Sequence, residues 1–222
     1  MQGILYIVST PIGHLGDLSF RAIETLKSVA VIACEDTRQT GKLLRHYQIA
    51  KPLVSLHEHN ERIRTEELLK RLQADESIAL VSDSGTPLIS DPGWWLVHRA
   101  IEEAVPVSWI PGPAALIGAL VLSGLPTDRF VFEGFLPAKP GARRKRLEAL
   151  RGESRTVVLY EAPHRMLKTL REVLEVIGDV PMACGRELTK MFEEVRRGRA
   201  SELITHFEAH PPRGEFAVVF HP

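Results

Sequence analysis

The chain is predicted to be an α/β protein of two domains, a parallel-sheet N-terminal domain followed by a mixed-sheet C-terminal domain. Three features carry this prediction. Short apolar runs alternate with amphipathic helical patterns up to about residue 122, as in a parallel sheet built from β-α-β units. The segment Ser123-Gly124-Leu125-Pro126-Thr127-Asp128 breaks that alternation. Beyond it, the predicted strands 182–185 and 192–196 follow each other too closely for a helical crossover, so the second sheet is expected to be mixed.

In the first domain the runs 4–8, 30–33, 53–56, 78–81 and 105–110 are largely apolar at successive positions, the pattern of strands buried on both faces. Between them, 19–29, 37–47, 60–73 and 94–104 place apolar residues at helical spacing, as in Leu68, Leu69 and Leu72. The apolar run 114–122 is interrupted by Gly118 and is far short of the roughly 20 residues of a membrane span, so it is expected to be a core helix. The boundary is expected after it, giving domains 1–122 and 123–222. In the second domain strands are predicted at 130–135, 157–160, 182–185, 192–196 and 216–220, with helices at 141–150, 163–177 and 201–207.

Over 222 residues, 28 Lys and Arg balance 28 Asp and Glu, with 44% hydrophobic residues. This is ordinary globular composition and excludes a disordered or fibrous chain. Zero net charge means that a polyanion has to be met by a local patch rather than by the field of the whole molecule. Two cysteines, Cys34 and Cys184, are too few for a disulfide framework, and residues 1–8 lack the basic and long apolar regions of a signal peptide. The expected setting is the reducing cytoplasm.

In open α/β sheets ligands bind beyond the carboxyl ends of the strands. Four such loops in the first domain are rich in Gly, Pro and small polar residues: 9–17, 35–38, 82–93 and 111–115. None is a dinucleotide fingerprint or a Walker sequence, and Gly-x-Ser-x-Gly is absent, which disfavours nucleoside triphosphate and serine hydrolase chemistry. His57-Glu58-His59 has no matching third ligand, so no metal is expected. Glu35 and Asp36 open a helix, where acids suit the dipole and Asp36 or Thr37 can cap. Arg38 opposes that dipole and points to an anionic partner or to pairing with Asp36. The run Lys139 to Arg146, with Arg143, Arg144 and Lys145, is the densest positive segment and a candidate phosphate-binding surface.

Taken in order, Leu5 to Gly13, Glu35-Asp36-Thr37-Arg38, Val81 to Gly93, Pro111 to Ala115, Glu133 to Pro137, Tyr160 to Arg165 and Arg186 to Lys190 resemble the ribosomal RNA small subunit methyltransferase I family of the tetrapyrrole methylase superfamily. The resemblance covers essentially the whole chain. It implies a two-domain fold with S-adenosylmethionine in the cleft between the domains, a homodimer, and methylation of a cytidine 2'-hydroxyl in 16S ribosomal RNA of the 30S subunit. It places the cofactor against Pro11 and Ile12, Ser84, Gly85, Thr86 and Ile89, Ala114 and Ala115, Glu161 and Ala162, Arg186, Glu187 and Leu188, and Gly214 and Phe216. Thr86 stands where tetrapyrrole methylases carry an acid, and His14 where this family commonly carries Asn.

Methyl transfer from a sulfonium needs positioning rather than a metal or a covalent intermediate. A ribose hydroxyl is a poor nucleophile, so a carboxylate is expected to take its proton. Asp36 and Glu35 are the candidates by location, with Arg38 on a flanking phosphate. Two rivals share part of the pattern. A small-molecule methyltransferase of the tetrapyrrole type needs the Gly/Pro loops but not the basic run, and a non-catalytic RNA-binding protein needs the basic run but not the loops.

Overall fold

The computed structural model describes residues 3–222, which divide into two compact units, the first ending at Ala114 and the second spanning Ala115–Pro222. In the first, β1 (Leu5–Val8), β2 (Val31–Cys34), β3 (Leu53–Ser55), β4 (Ile78–Val81) and β5 (Val107–Ile110) form one parallel sheet in the order β3-β2-β4-β1-β5. The crossovers contain α1 (Phe20–Ser28), α2 (Thr37–His46), α3 (Glu61–Gln73) and α4 (Trp94–Glu102).

Side chains alternate across a strand, and the sheet buries both faces accordingly. Val31, Ala33, Ile78 and Leu80 pack with Leu68, Leu72, Leu96 and Ala100 of α3 and α4. Ile32, Cys34, Ala79 and Val81 pack with Leu26 of α1 and Leu44 of α2. Strand β5 departs from the expectation of burial on both faces: Val107 and Trp109 are exposed and only Ile110 is buried. It is one of the sheet's two edge strands, and the helix that follows it belongs to the other unit.

That helix, α5 (Ala115–Ser123), explains why the units meet at Ala114 and not at the expected 122/123 boundary. It buries Leu116, Ala119 and Leu120 and packs on strands of the second sheet. The rest of that unit is β6 (Phe130–Phe135), α6 (Pro140–Leu150), β7 (Thr156–Glu161), α7 (Pro163–Val176), β8 (Pro181–Arg186), β9 (Glu194–Arg199), α8 (Ala200–Ala209) and β10 (Phe216–Phe220). The sheet runs β6-β7-β10-β8-β9. Only β6 and β7 are parallel, and β8 and β9 form an antiparallel pair, so the second sheet is mixed as predicted. Its core gathers Leu147, Val157, Leu159, Met166, Leu170, Leu203, Phe207 and Phe220.

Candidate functional site

The post-strand loops of the first unit share one sheet edge because all five strands are parallel, and three of them are tied into one structure. Thr10 and Gly85 exchange both backbone hydrogen bonds, at 2.8 and 3.1 Å. The Thr86 hydroxyl donates to the Pro113 carbonyl and also meets the Ser9 hydroxyl, each at 3.0 Å. The hydroxyl at the departing position therefore joins the loops after β1, β4 and β5. Gly85 lies at φ +88, where a Cβ would come within 3.2 Å of Ile12. Leu88 and Ser90 also take positive φ, of 72 and 65, a conformation that costs non-glycine residues energy and concentrates at functional loops. On this scaffold Ser84 and Ile89 are exposed and Ile12 and Ala114 half-buried, while Pro11 is buried.

Beside that knot lies a group of acids. Asp36 caps α2, accepting from Arg38 N–H at 2.8 Å, and its carboxylate also holds the Arg38 guanidinium at 2.7 and 3.1 Å. That pairing drives its pKa down to about 2. Asp83 accepts from the Asp36 N–H at 3.0 Å, and partial burial, with the Asp36 charge, raises its pKa. Burial and the Asp83 charge likewise raise Glu35. Asp91 is raised to about 6, by burial first and then by the Glu35 and Asp83 charges. Asp36 and Arg38 are thus committed to each other, whereas Glu35, Asp83 and Asp91 form no ion pair with a described residue. Asp83 and Asp91 were missed as site residues by sequence reasoning, although both lie in the quoted 81–93 motif. His14 caps a short 3-10 turn (Leu15–Asp17), its Nδ1 accepting from Gly16 N–H at 3.2 Å.

The second unit's predicted residues also converge on one edge, because β10 begins where β7 and β8 end: Phe216 pairs with both Glu161 and Arg186. Side-chain roles divide sharply there. The Glu161 carboxylate is fully buried, accepting from Thr169 Oγ1 at 2.5 Å and from Ala162 N–H, and lies 3.1 Å from Arg165 Nε. Phe216 and Leu188 are buried as well, Phe216 in the core. These three residues have only backbone to offer a ligand. Arg186 donates to the Arg213 carbonyl at 2.7 Å and pairs with Glu194. Glu187 accepts from Lys190 and from Glu215 N–H, both at 2.9 Å. Gly214, at φ +80, approaches so closely that a Cβ would lie 2.5 Å from Glu187 Cγ. Ala115 opens α5, where Leu116 N–H donates to the Tyr160 hydroxyl at 3.2 Å.

The basic run is paired with acids more fully than expected, although Arg144, Lys145 and Arg146 remain exposed. Arg143 is 1% exposed and forms a bidentate pair with Glu172 at 2.5 and 2.7 Å. Arg146 pairs in the same way with Glu133, and Arg144 pairs with Glu148 and Glu175. A run dense in cations becomes a structural seam when the facing elements supply acids, and of the four residues Arg143 to Arg146 only Lys145 has no acidic partner among the described residues.

A parallel sheet with interlocked Gly/Pro loops is thus joined in sequence to a five-stranded mixed sheet. Residues 4–204 match the tetrapyrrole (corrin/porphyrin) methylases, and the chain belongs to that family. Within it the chain is similar to proteins named ribosomal RNA small subunit methyltransferase I. It is 54% identical to the one from Synechocystis sp. over 98% of this chain and 78% of that protein. With the one from Thermotoga maritima it shares 48% identity over 98% of each chain. Solved structures repeat the fold at low identity. Uroporphyrin-III-C-methyltransferase from Thermus thermophilus has a TM-score of 0.68 at 22% identity, covering 98% of this chain and 94% of that one. Diphthine synthase reaches 0.74 at 16%, covering 99% and 90%.

Proposed function

We propose that the protein transfers a methyl group from S-adenosylmethionine to the 2'-hydroxyl of a cytidine in 16S ribosomal RNA of the small subunit, acting as a cytoplasmic homodimer. The observation that carries this reading is near full-length similarity at 46–54% identity to proteins named ribosomal RNA small subunit methyltransferase I. The site supports it through its rigid, backbone-rich loops. Pro11, Ile12, Ser84, Gly85, Thr86, Ile89, Ala114, Ala115, Glu161, Ala162, Arg186, Glu187, Leu188, Gly214 and Phe216 are the residues assigned to the cofactor. When bound, the cofactor supplies an electrophilic methyl group on a sulfonium.

The chain's own part is to orient the ribose and receive its proton. A carboxylate held near pKa 2 is a weak base, so Asp36 serves with Arg38 as a positioning pair. The proton goes instead to the group of Glu35, Asp83 and Asp91, all raised, where Asp91 at about 6 suits a base near neutral pH. Glu35 is exposed and Asp91 half-buried, and coupled groups of this kind titrate as a set.

The test is to incubate the protein with labelled S-adenosylmethionine and unmodified small subunits. Label should fall on one cytidine and leave the following phosphodiester resistant to alkali, because that cleavage needs a free 2'-hydroxyl. Label on a base would refute the ribose assignment. Transfer only to a tetrapyrrole would move the protein to the small-molecule methyltransferases.

A further inference from the structure

The carboxyl edge of the first sheet holds a feature that methyl transfer leaves unused. Where α3 and α4 begin, a pocket of about 460 Å3 is lined by eight residues, Glu58 to Ile63 together with Trp94 and Trp95. Trp94 is 60% exposed and Ile63 70%. The pocket is built rather than accidental. The Glu61 carboxylate accepts from Gly93 N–H and Trp95 N–H, both at 2.9 Å, and so ties the first turn of α4 to α3. Gly93 turns the chain at φ +120, where a Cβ would strike Leu80 at 2.6 Å. The Trp94 ring is stacked on His98 with centroids 4.9 Å apart and planes 8° apart, and the two tryptophans lie 5.7 Å apart. The Arg62 guanidinium lies 5.3 Å from the Trp95 centroid and forms no ion pair with a described residue.

We infer that this pocket receives a nucleobase of the RNA substrate, stacked on Trp94 and flanked by Arg62, beside the acceptor nucleotide. The inference rests on the RNA reading above and extends it to a contact outside the reacting ribose. Aromatic rings and arginine planes are what unstacked RNA bases bind, and the volume is that of a small-ligand pocket. Charge separates base from backbone: Glu58 at the rim repels a phosphate, while Arg62 over Trp95 offers a cation and a π-face to a neutral ring. A second copy of the chain is a poor fit, since a stable interface takes roughly 20–30 residues from each side and this pocket has eight. The loops after β2, β3 and β4 open on the same sheet edge, which places the pocket beside the acids assigned to the ribose.

Trp94→Ala removes an exposed ring and leaves the Glu61 cap in place. Tryptophan fluorescence is titrated with a short oligocytidylate, and methyl transfer to unmodified small subunits is measured alongside. The wild type should be quenched on binding. Trp94→Ala should bind the oligonucleotide about tenfold more weakly and show a raised KM for subunits with kcat within twofold, and Trp94→Phe should restore most of both. Equal oligonucleotide affinity in wild type and Trp94→Ala overturns the pocket even if subunits are methylated. Failure of the wild type to methylate any RNA refutes the function, whereas the difference in oligonucleotide affinity judges the pocket independently. A wild-type dimer that Trp94→Ala converts to a monomer at the same concentration would give the face to a second copy and overturn the inference.

Discussion

The two units treat their charges in opposite ways. In the second, Arg143 is sealed against Glu172, Arg146 against Glu133, and Lys190 sits between Glu187 and Glu215. Pairing with Arg143 lowers the Glu172 pKa, and burial of Glu187 is outweighed by the Glu215 N–H and Lys190. On the carboxyl edge of the first unit, Glu35, Asp83 and Asp91 crowd together, and all three are raised. Paired charges stabilise a fold only when complete. Unpaired acids held together against burial and mutual repulsion oppose folding, and active sites are where such arrangements collect. The dense basic run is therefore architecture, and the acidic edge is where chemistry is expected.

The sharpest break in the loops proposed to hold the cofactor is Gly85→Val. A β-branched residue at φ +88 beside Ile12 should abolish S-adenosylmethionine binding measured by calorimetry, with thermal unfolding as the folding control. Unchanged affinity would detach the 84–89 loop from the cofactor. In the second unit, Glu172→Ala leaves the buried Arg143 without its carboxylate, only the Ala138 carbonyl remaining at 3.4 Å, and breaking such a pair costs roughly 3–5 kcal/mol. Denaturant unfolding should show that loss, and a loss below about 1 kcal/mol would make the seam dispensable.

Asp36→Asn and Arg38→Ala should each slow methyl transfer about tenfold while leaving cofactor affinity within a fewfold, because a positioning contact to the acceptor is lost. Full turnover in both would reduce the pair to a helix cap. The smallest effect belongs to the basic run. Lys145→Glu should change the slope of log RNA affinity against log salt by no more than about one contact, ~0.7 to 0.9, and Arg144→Glu by less, since Arg144 is already paired. A larger change in either would return the RNA surface to α6.

Much of the fold was legible because local patterns decide it. The strands Ile78–Val81, Phe130–Phe135 and Phe216–Phe220 fall at their predicted bounds, and Asp36 caps α2. Strand β9 was placed at 192–196 but spans Glu194–Arg199, a polar edge strand whose boundary the apolar Phe192 obscures. Helix α5 continued the β-α alternation by sequence, and only its packing partners assign it to the second unit. Burial and pairing at the site are tertiary facts. Nothing in Arg143-Arg144-Lys145-Arg146 announces Glu172, Glu175 and Glu133 opposite, and Asp91 is raised by burial first and then by the charge of Glu35, distant in sequence. The adjacent Trp94 and Trp95 were a signal available at the start of a predicted helix, where a buried face alone does not require two indoles.

The comparison turns on Asp91, whose carboxylate lies well above the usual range at about 6. A raised acid stabilises the fold while protonated, and that contribution is lost as pH rises from about 4 to about 6. Asp91→Asn, followed across pH for both thermal unfolding and methyl transfer, tests the account directly. Wild-type transfer should rise through about pH 6. The variant should melt higher than wild type above pH 7 and equally near pH 3, with transfer down about 100-fold and cofactor affinity unchanged. A variant that keeps the wild-type rate profile and gains no stability at high pH would contradict the assignment of the acidic edge to chemistry.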